Sequence, residues 1–163
     1  MKILYDTYAG YLTAVCARYV RDDAEVKDIL QEAFIKFYRQ MDRFEYRGEG
    51  SLKAWMSRIV VNDSLKTLRR KRFVPLPDSL SERADEEEPA FDSVPVPVIQ
   101  GMIRNLPDGY RTVFNLFVFE DKSHKEIASL LGIKENSSAS QLHHAKAQLA
   151  RWIKDYIKTH DNG

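Results

Sequence analysis

The sequence predicts an all-α protein: two small helical domains joined by a flexible acidic linker, the C-terminal domain containing a helix-turn-helix. Three observations carry this. Apolar residues recur at helical spacing in several windows, and no window alternates with the period-two pattern of a strand. The segment 73–97 holds Pro75, Pro77, Pro89, Pro95 and Pro97 together with Glu86-Glu87-Glu88, a composition with too little apolar surface to build a core. Residues 123–144 carry the start and stop signals of two helices around a tight corner. The expected organisation is a first domain at 1–73, a linker at 74–97 and a second domain at 98–163.

The first domain reads as three main helices. Ile3, Leu4, Tyr8, Tyr11, Leu12, Val15 and Tyr19 give the first its stripe. Asp22 with Glu25 has the spacing of a capping box, and the helix that follows repeats Val26, Ile29, Leu30, Ala33, Phe34, Phe37 and Met41. Gly48 and Gly50 interrupt the pattern. Ser51 is then expected to cap a third helix running to about Arg72. In the second domain a helix is expected from Val98 to Asn105. Pro107 and Asp108 open the next, with Tyr110, Val113, Phe114 and Phe117 turned inward.

The corner that follows has local chemistry for every step. Ser123 and Glu126 form a second capping box. Ile127, Ala128, Leu130 and Leu131 give an apolar face, and Gly132 suits the left-handed residue that ends a helix. Ile133 fills the corner. Asn136 or Ser137 is the expected cap of the second helix, whose buried face is Leu142, Ala145 and Leu149. Such a unit presents its second helix to the major groove of DNA. The plainer alternative is an ordinary helical hairpin.

Composition bounds the rest. The chain has 163 residues, 44% apolar and 30% charged, with a net charge of +1. That small number conceals a division: residues 1–73 are net +5, 74–95 net −6 and 96–163 net +2. Blocks of single sign suit charged partners. No apolar run is long enough to span a bilayer, and the N-terminus lacks a signal-peptide core. Cys16 is the one cysteine, so no internal disulfide is possible, and a reducing cytoplasm fits. It stands among apolar residues and reads as packing rather than a nucleophile. His143 and His144 point about 100° apart on a helix with no further ligand at metal spacing, so no metal site is expected. No nucleophile–base set, phosphate loop or paired carboxylates stand out. The expectation is therefore no cofactor and no catalysis.

Two helix faces have surplus chemistry. On the third helix Trp55, Arg58, Asn62, Lys66 and Arg69 fall within an arc of roughly 80°, and Arg70, Lys71 and Arg72 extend the charge. Cations neutralise phosphates, an amide bonds base edges, and an aromatic stacks on an unpaired base. The alternative places Trp55 in the core and the cations in water. The loop before it, with Phe44, Tyr46, Arg47, Gly48 and Gly50, can enclose a flipped base or serve as a plain connector. On the second helix Asp28, Gln31, Glu32 and Ile35 form a mixed patch opposite the apolar stripe, suited to a protein partner or simply solvated.

Taken in order, these pieces resemble the extracytoplasmic-function (ECF) group of bacterial sigma factors in the sigma-70 family. The residues that carry the resemblance are Ala17-Arg18-Tyr19-Val20 and Asp22; Asp28-Ile29-Leu30-Gln31-Glu32-Ala33-Phe34-Ile35-Lys36-Phe37-Tyr38; Ala54-Trp55-Met56, Ile59, Asn62 and Leu68-Arg69-Arg70. In the second domain they are Leu106-Pro107, Tyr110-Arg111, Val113-Phe114, Ser123-His124-Lys125-Glu126-Ile127-Ala128 and Leu131-Gly132-Ile133. The resemblance implies that Asp28, Gln31, Glu32 and Ile35 grip the coiled coil of the largest RNA polymerase subunit. It implies that Phe44, Tyr46, Arg47, Trp55, Arg58, Asn62, Lys66, Arg69 and Arg70 read and melt the minus-ten promoter element. Lys134, Ser137, Ser138, Ser140, Gln141, His144 and Lys146 would face the minus-35 element. The implied partners are core RNA polymerase (coiled coil and flap), promoter DNA and an anti-sigma factor, with no direct membrane insertion. The implied location is cytoplasmic. One departure stands out: family members often carry a basic residue at the positions of Ala139, Gln141 and His144. Weak promoter binding by the free chain follows as an expectation. The rival readings are a helix-turn-helix regulator that does not melt DNA, and a sigma-like decoy that sequesters an anti-sigma factor.

Overall fold

A computed structural model describes residues 1–71 and 88–161. The chain divides into two compact units, Met1–Arg72 and Phe73–Gly163. Among the described residues there is no strand; every regular element is a helix.

The first unit packs three helices against one another: α1 (Lys2–Ala17), α2 (Asp23–Gln40) and α3 (Ser51–Arg70), with a 3-10 turn at Met41–Arg43 after α2. The stripes read from the sequence meet at its centre. Leu12, Val15, Cys16, Tyr19, Ala33, Phe37, Met56 and Val60 are all essentially inaccessible. The stripe of α1 is shorter than its sequence suggests, because Ile3 is 83% exposed. Cys16 Sγ lies 3.4 Å from Ser64 Oγ, and burial pushes its thiol above the ordinary cysteine range. Cys16 is thus a packed side chain.

Two caps differ from expectation. Asp22 accepts from the backbone N–H of Glu25 at 3.0 Å, but Glu25 pairs at 2.6 Å with Lys71 at the far end of α3. A tertiary ion pair takes the carboxylate that the capping box would have used. Ser51 is the first residue of α3 rather than its cap; the cap is Gly50 at φ 81, a left-handed conformation that glycine adopts without strain. Ser51 Oγ instead accepts from the Arg47 N–H at 3.2 Å, closing the loop on itself.

The second unit is built on α7 (Glu135–Asp161), against which α4 (Val96–Asn105), α5 (Asp108–Val118) and α6 (His124–Leu131) pack. The expected linker at 74–97 is only partly open to description: 72–87 lie outside the described residues, while 88–97 belong to the fold. Phe91–Ser93 form a 3-10 turn against α7, the Phe91 ring lies 6.5 Å from that of Phe114, Val94 is buried, and α4 already begins at Val96. Two apolar side chains that find a core outweigh the breaker chemistry of the flanking prolines. Arg111 is 1% exposed; it donates to the Leu106 carbonyl at 3.1 Å and pairs with Asp108 at 2.7 Å.

Candidate nucleic-acid interface

The α3 stripe is where the spacing places it. Arg58, Asn62, Lys66, Arg69 and Arg70 are exposed, and none of the four cations makes an ion pair among the described residues. Trp55 stands between the core and the surface. It is half-buried, its ring 5.7 Å from Phe37 in the core and 5.2 Å from Phe44 in the preceding loop. Phe37 continues the contact to Phe34 at 5.2 Å, and Phe34 to Tyr5 at 5.0 Å. Around the outer side of Trp55 opens a cavity of about 520 Å³ lined by Phe44, Arg47, Ser51, Ala54, Trp55 and Arg58, among others. An aromatic face beside cations in a concave site suits a base taken out of the stack. Tyr46, in the same loop, is 73% exposed, and the Arg47 guanidinium makes a surface pair with Glu45 at 3.2 Å.

On α2, Asp28, Gln31, Glu32 and Ile35 are all exposed. They share one face with Tyr38 one turn further on; Ile35 is 49% and Tyr38 67% exposed. An apolar pair in the middle of an acidic, solvent-facing helix is what a protein partner can cover.

The helix-turn-helix forms as its punctuation dictates. Ser123 Oγ accepts from the Glu126 N–H at 3.2 Å, and the Glu126 carboxylate accepts from the Ser123 N–H at 2.8 Å. Gly132 closes α6 at φ 67. The backbone bond from Ser123 holds the Glu126 carboxyl below the ordinary glutamate range. Its contribution is therefore present above the ordinary glutamate titration and fades as acidification passes through the lowered value. Removing the serine side of the box should weaken α6: Ser123→Ala is expected to cost about 1 kcal/mol, read as a lower urea midpoint by circular dichroism.

The reading helix is rotated from the expected face. It starts at Glu135, so Asn136 and Ser137 sit inside its first turn rather than capping it. Ser138 and Gln141, expected at DNA, are 0% and 2% exposed. Ser138 Oγ lies 2.9 Å from Nδ1 of His124, whose ring stacks 4.9 Å from Phe117, so one polar contact fastens α7 to α6 and α5. His144 is half-buried, stacked 5.6 Å from Tyr110. The exposed positions at its start are Glu135, Asn136, Ala139 and His143, with Ser137 and Ser140 half-exposed beside them and Lys134 exposed before the helix. Lys146 is held by Glu88 at 3.2 Å. In the sequence Asn136, Ala139 and His143 read as a cap, a position lacking the usual basic residue and a histidine without metal partners, not as DNA contacts, although their i, i+3, i+7 spacing marks one face. Among the described residues no group of histidines, cysteines and carboxylates is placed to hold a metal, and no helix is long and apolar enough to cross a membrane.

A basic, aromatic-edged helix in one unit and a helix-turn-helix in the other define a two-part DNA-binding protein. Comparison with known proteins narrows the class. Sigma-70 region 2 matches residues 4–74, and Sigma-70, region 4 matches residues 98–149. The chain is 27% identical over 165 residues to the RNA polymerase sigma-H factor of Pseudomonas aeruginosa, covering 93% of this chain and 84% of that protein. It is 29% identical over 170 residues to the ECF RNA polymerase sigma factor SigW of Bacillus subtilis, covering 93% and 88%. Its fold resembles that of the sigma factor RpoE in its co-crystal structure with the anti-sigma factor NepR from Bartonella quintana, with a TM-score of 0.53 at 20% identity over 94% and 96% of the two chains. The chain belongs to the sigma-70 family and is an RNA polymerase sigma factor of the ECF type.

Proposed function

We propose that the first unit binds core polymerase and opens the minus-ten element, and that the second reads the minus-35 element. The observation that carries this is the α3 face: cations that make no ion pair among the described residues and an amide beside an aromatic cavity, with the mixed α2 patch on the same unit. Asp28, Gln31, Glu32 and Ile35 meet the coiled coil of the largest polymerase subunit. The cavity of Phe44, Arg47 and Trp55, with the exposed Tyr46 in the same loop, takes an unstacked base. Arg58, Asn62, Lys66, Arg69 and Arg70 follow the strand. Base capture and polymerase contacts offset the cost of melting, so the chain needs no catalytic step of its own.

At the minus-35 element the burial of Ser138 and Gln141 moves the reading to Asn136, Ser137, Ala139, Ser140 and His143, with Lys134 on phosphate. Lys146 contributes once Glu88 lets go, and His144 supports the face through Tyr110. This face has no fixed charge at its centre, which keeps promoter binding by the free chain weak. Ala139→Arg is expected to tighten binding to a minus-35 duplex several-fold and to steepen its salt dependence by about 0.9 in log–log slope, measured by fluorescence anisotropy across a salt series.

The protein acts in the cytoplasm, where its polymerase is. An anti-sigma factor is its natural inhibitor, on the precedent of RpoE with NepR. The test is run-off transcription with purified core polymerase, this chain and upstream fragments of its own genome. Specific transcripts are expected and supply the promoter motif. Silence with core binding intact would favour a decoy, and silence without core binding a DNA-binding regulator.

A further inference from the structure

Helix α3 carries a single acid. Against Lys53, Arg58, Lys66, Arg69 and Arg70 stands Asp63 alone. It lies next to Asn62, is 14% exposed, and has one α3 cation at i+3 or i+4, Lys66. Neighbours at that spacing on a helix pair readily. Asp63 does not take Lys66. Its Oδ1 accepts instead from the Nζ of Lys36 on α2 at 2.6 Å, a partner 27 positions earlier in the chain. The other oxygen, Oδ2, is buried without a hydrogen-bond partner among the described residues. The carboxylate is thus neutralised from the α2 side and still has room to accept.

We infer that Lys36 is a positioning residue for promoter DNA: by neutralising Asp63 from α2, it leaves Lys66 available to a phosphate. This rests on α3 being the DNA-binding helix. Without Lys36, a half-buried carboxylate loses its counter-charge, a costly arrangement. The nearest remedy is Lys66, which would turn inward along its own helix and leave the strand. Asp63 would then weaken the α3 face by capturing one of its cations.

The experiment measures binding of the full chain to a mixed-sequence single-stranded DNA across a salt series, with circular dichroism confirming folding at the assay temperature. Lys36→Met keeps the aliphatic stem and removes the charge. It should shallow the log–log salt slope by about 0.7, the value of one phosphate contact on a single strand, and weaken low-salt binding about three- to tenfold. Lys36→Met with Asp63→Asn should restore both, because the anion is gone, and Lys36→Arg should behave as wild type. Adding Lys66→Ala to Lys36→Met should cost nothing further. An unchanged slope in Lys36→Met overturns the inference. So does a shallower slope that Asp63→Asn fails to restore, since Lys36 would then touch DNA itself. If Lys36→Met does not fold, Lys36→Gln replaces it under the same criteria. No binding by the wild-type chain would overturn the α3 reading and this inference together, whereas wild-type binding with indifferent variants overturns this inference alone.

Discussion

Replacing Arg58 and Asn62 together by alanine should leave core-polymerase binding intact and lower open-complex formation about tenfold to a hundredfold. Both side chains are exposed on α3, so neither substitution disturbs the core. An amide–base contact is worth about 1–3 kcal/mol of discrimination, and a guanidinium beside the aromatic cavity adds a phosphate contact. The α2 patch lies on another helix and keeps its side chains. Permanganate footprinting of the bubble in reconstituted holoenzyme measures open-complex formation, and co-purification with core measures polymerase binding. A double variant that opens promoters normally would remove α3 from the melting step.

Arg111→Ala should destabilise the second unit strongly, by about 2–4 kcal/mol, through the cavity and the lost hydrogen bonds of a buried side chain, its partner Asp108 being 63% exposed. The guanidinium is 1% exposed and holds the turn between α4 and α5 through the Leu106 carbonyl and Asp108. Alanine leaves a cavity and a carbonyl deprived of that bond. Arg111→Lys should recover little, because an ammonium cannot span the two acceptors as the planar fork does. Calorimetry of the full chain reads both variants. A transition of the second unit unchanged by Arg111→Ala would show that its buried charge contributes nothing net.

What the sequence made legible was chemistry that closes within four residues. The Ser123–Glu126 box, the Gly132 stop and the apolar stripes of α2 and α5 need only local spacing. Features set by distant partners were hidden. Ser138 reads as a surface serine until His124, 14 positions away, arrives to bond it. Gln141 is likewise polar by type and buried by packing, so two of the α7 residues expected to be exposed are not. Residues 88–97 look like spacer because they carry three prolines and begin at Glu88, the end of a glutamate run. Phe91 and Val94 dock nonetheless, since apolar burial does not depend on how polar the neighbours are. The α3 stripe was found because exposure there follows helical period. For the loop beside it the sequence left enclosure of a base and a plain connector both open, because the walls of the cavity come from both the loop and the helix.

The line of rings from Tyr5 through Phe34 and Phe37 to Trp55 and Phe44 has a practical side. The chain contains two tryptophans, one in each unit, Trp55 and Trp152. Trp55 is the one at the cavity, so on the proposed reading its emission is expected to change when a base enters. With Trp152→Phe the protein becomes a single-fluorophore instrument. Promoter opening can then be followed in real time from inside the protein, with an unlabelled template.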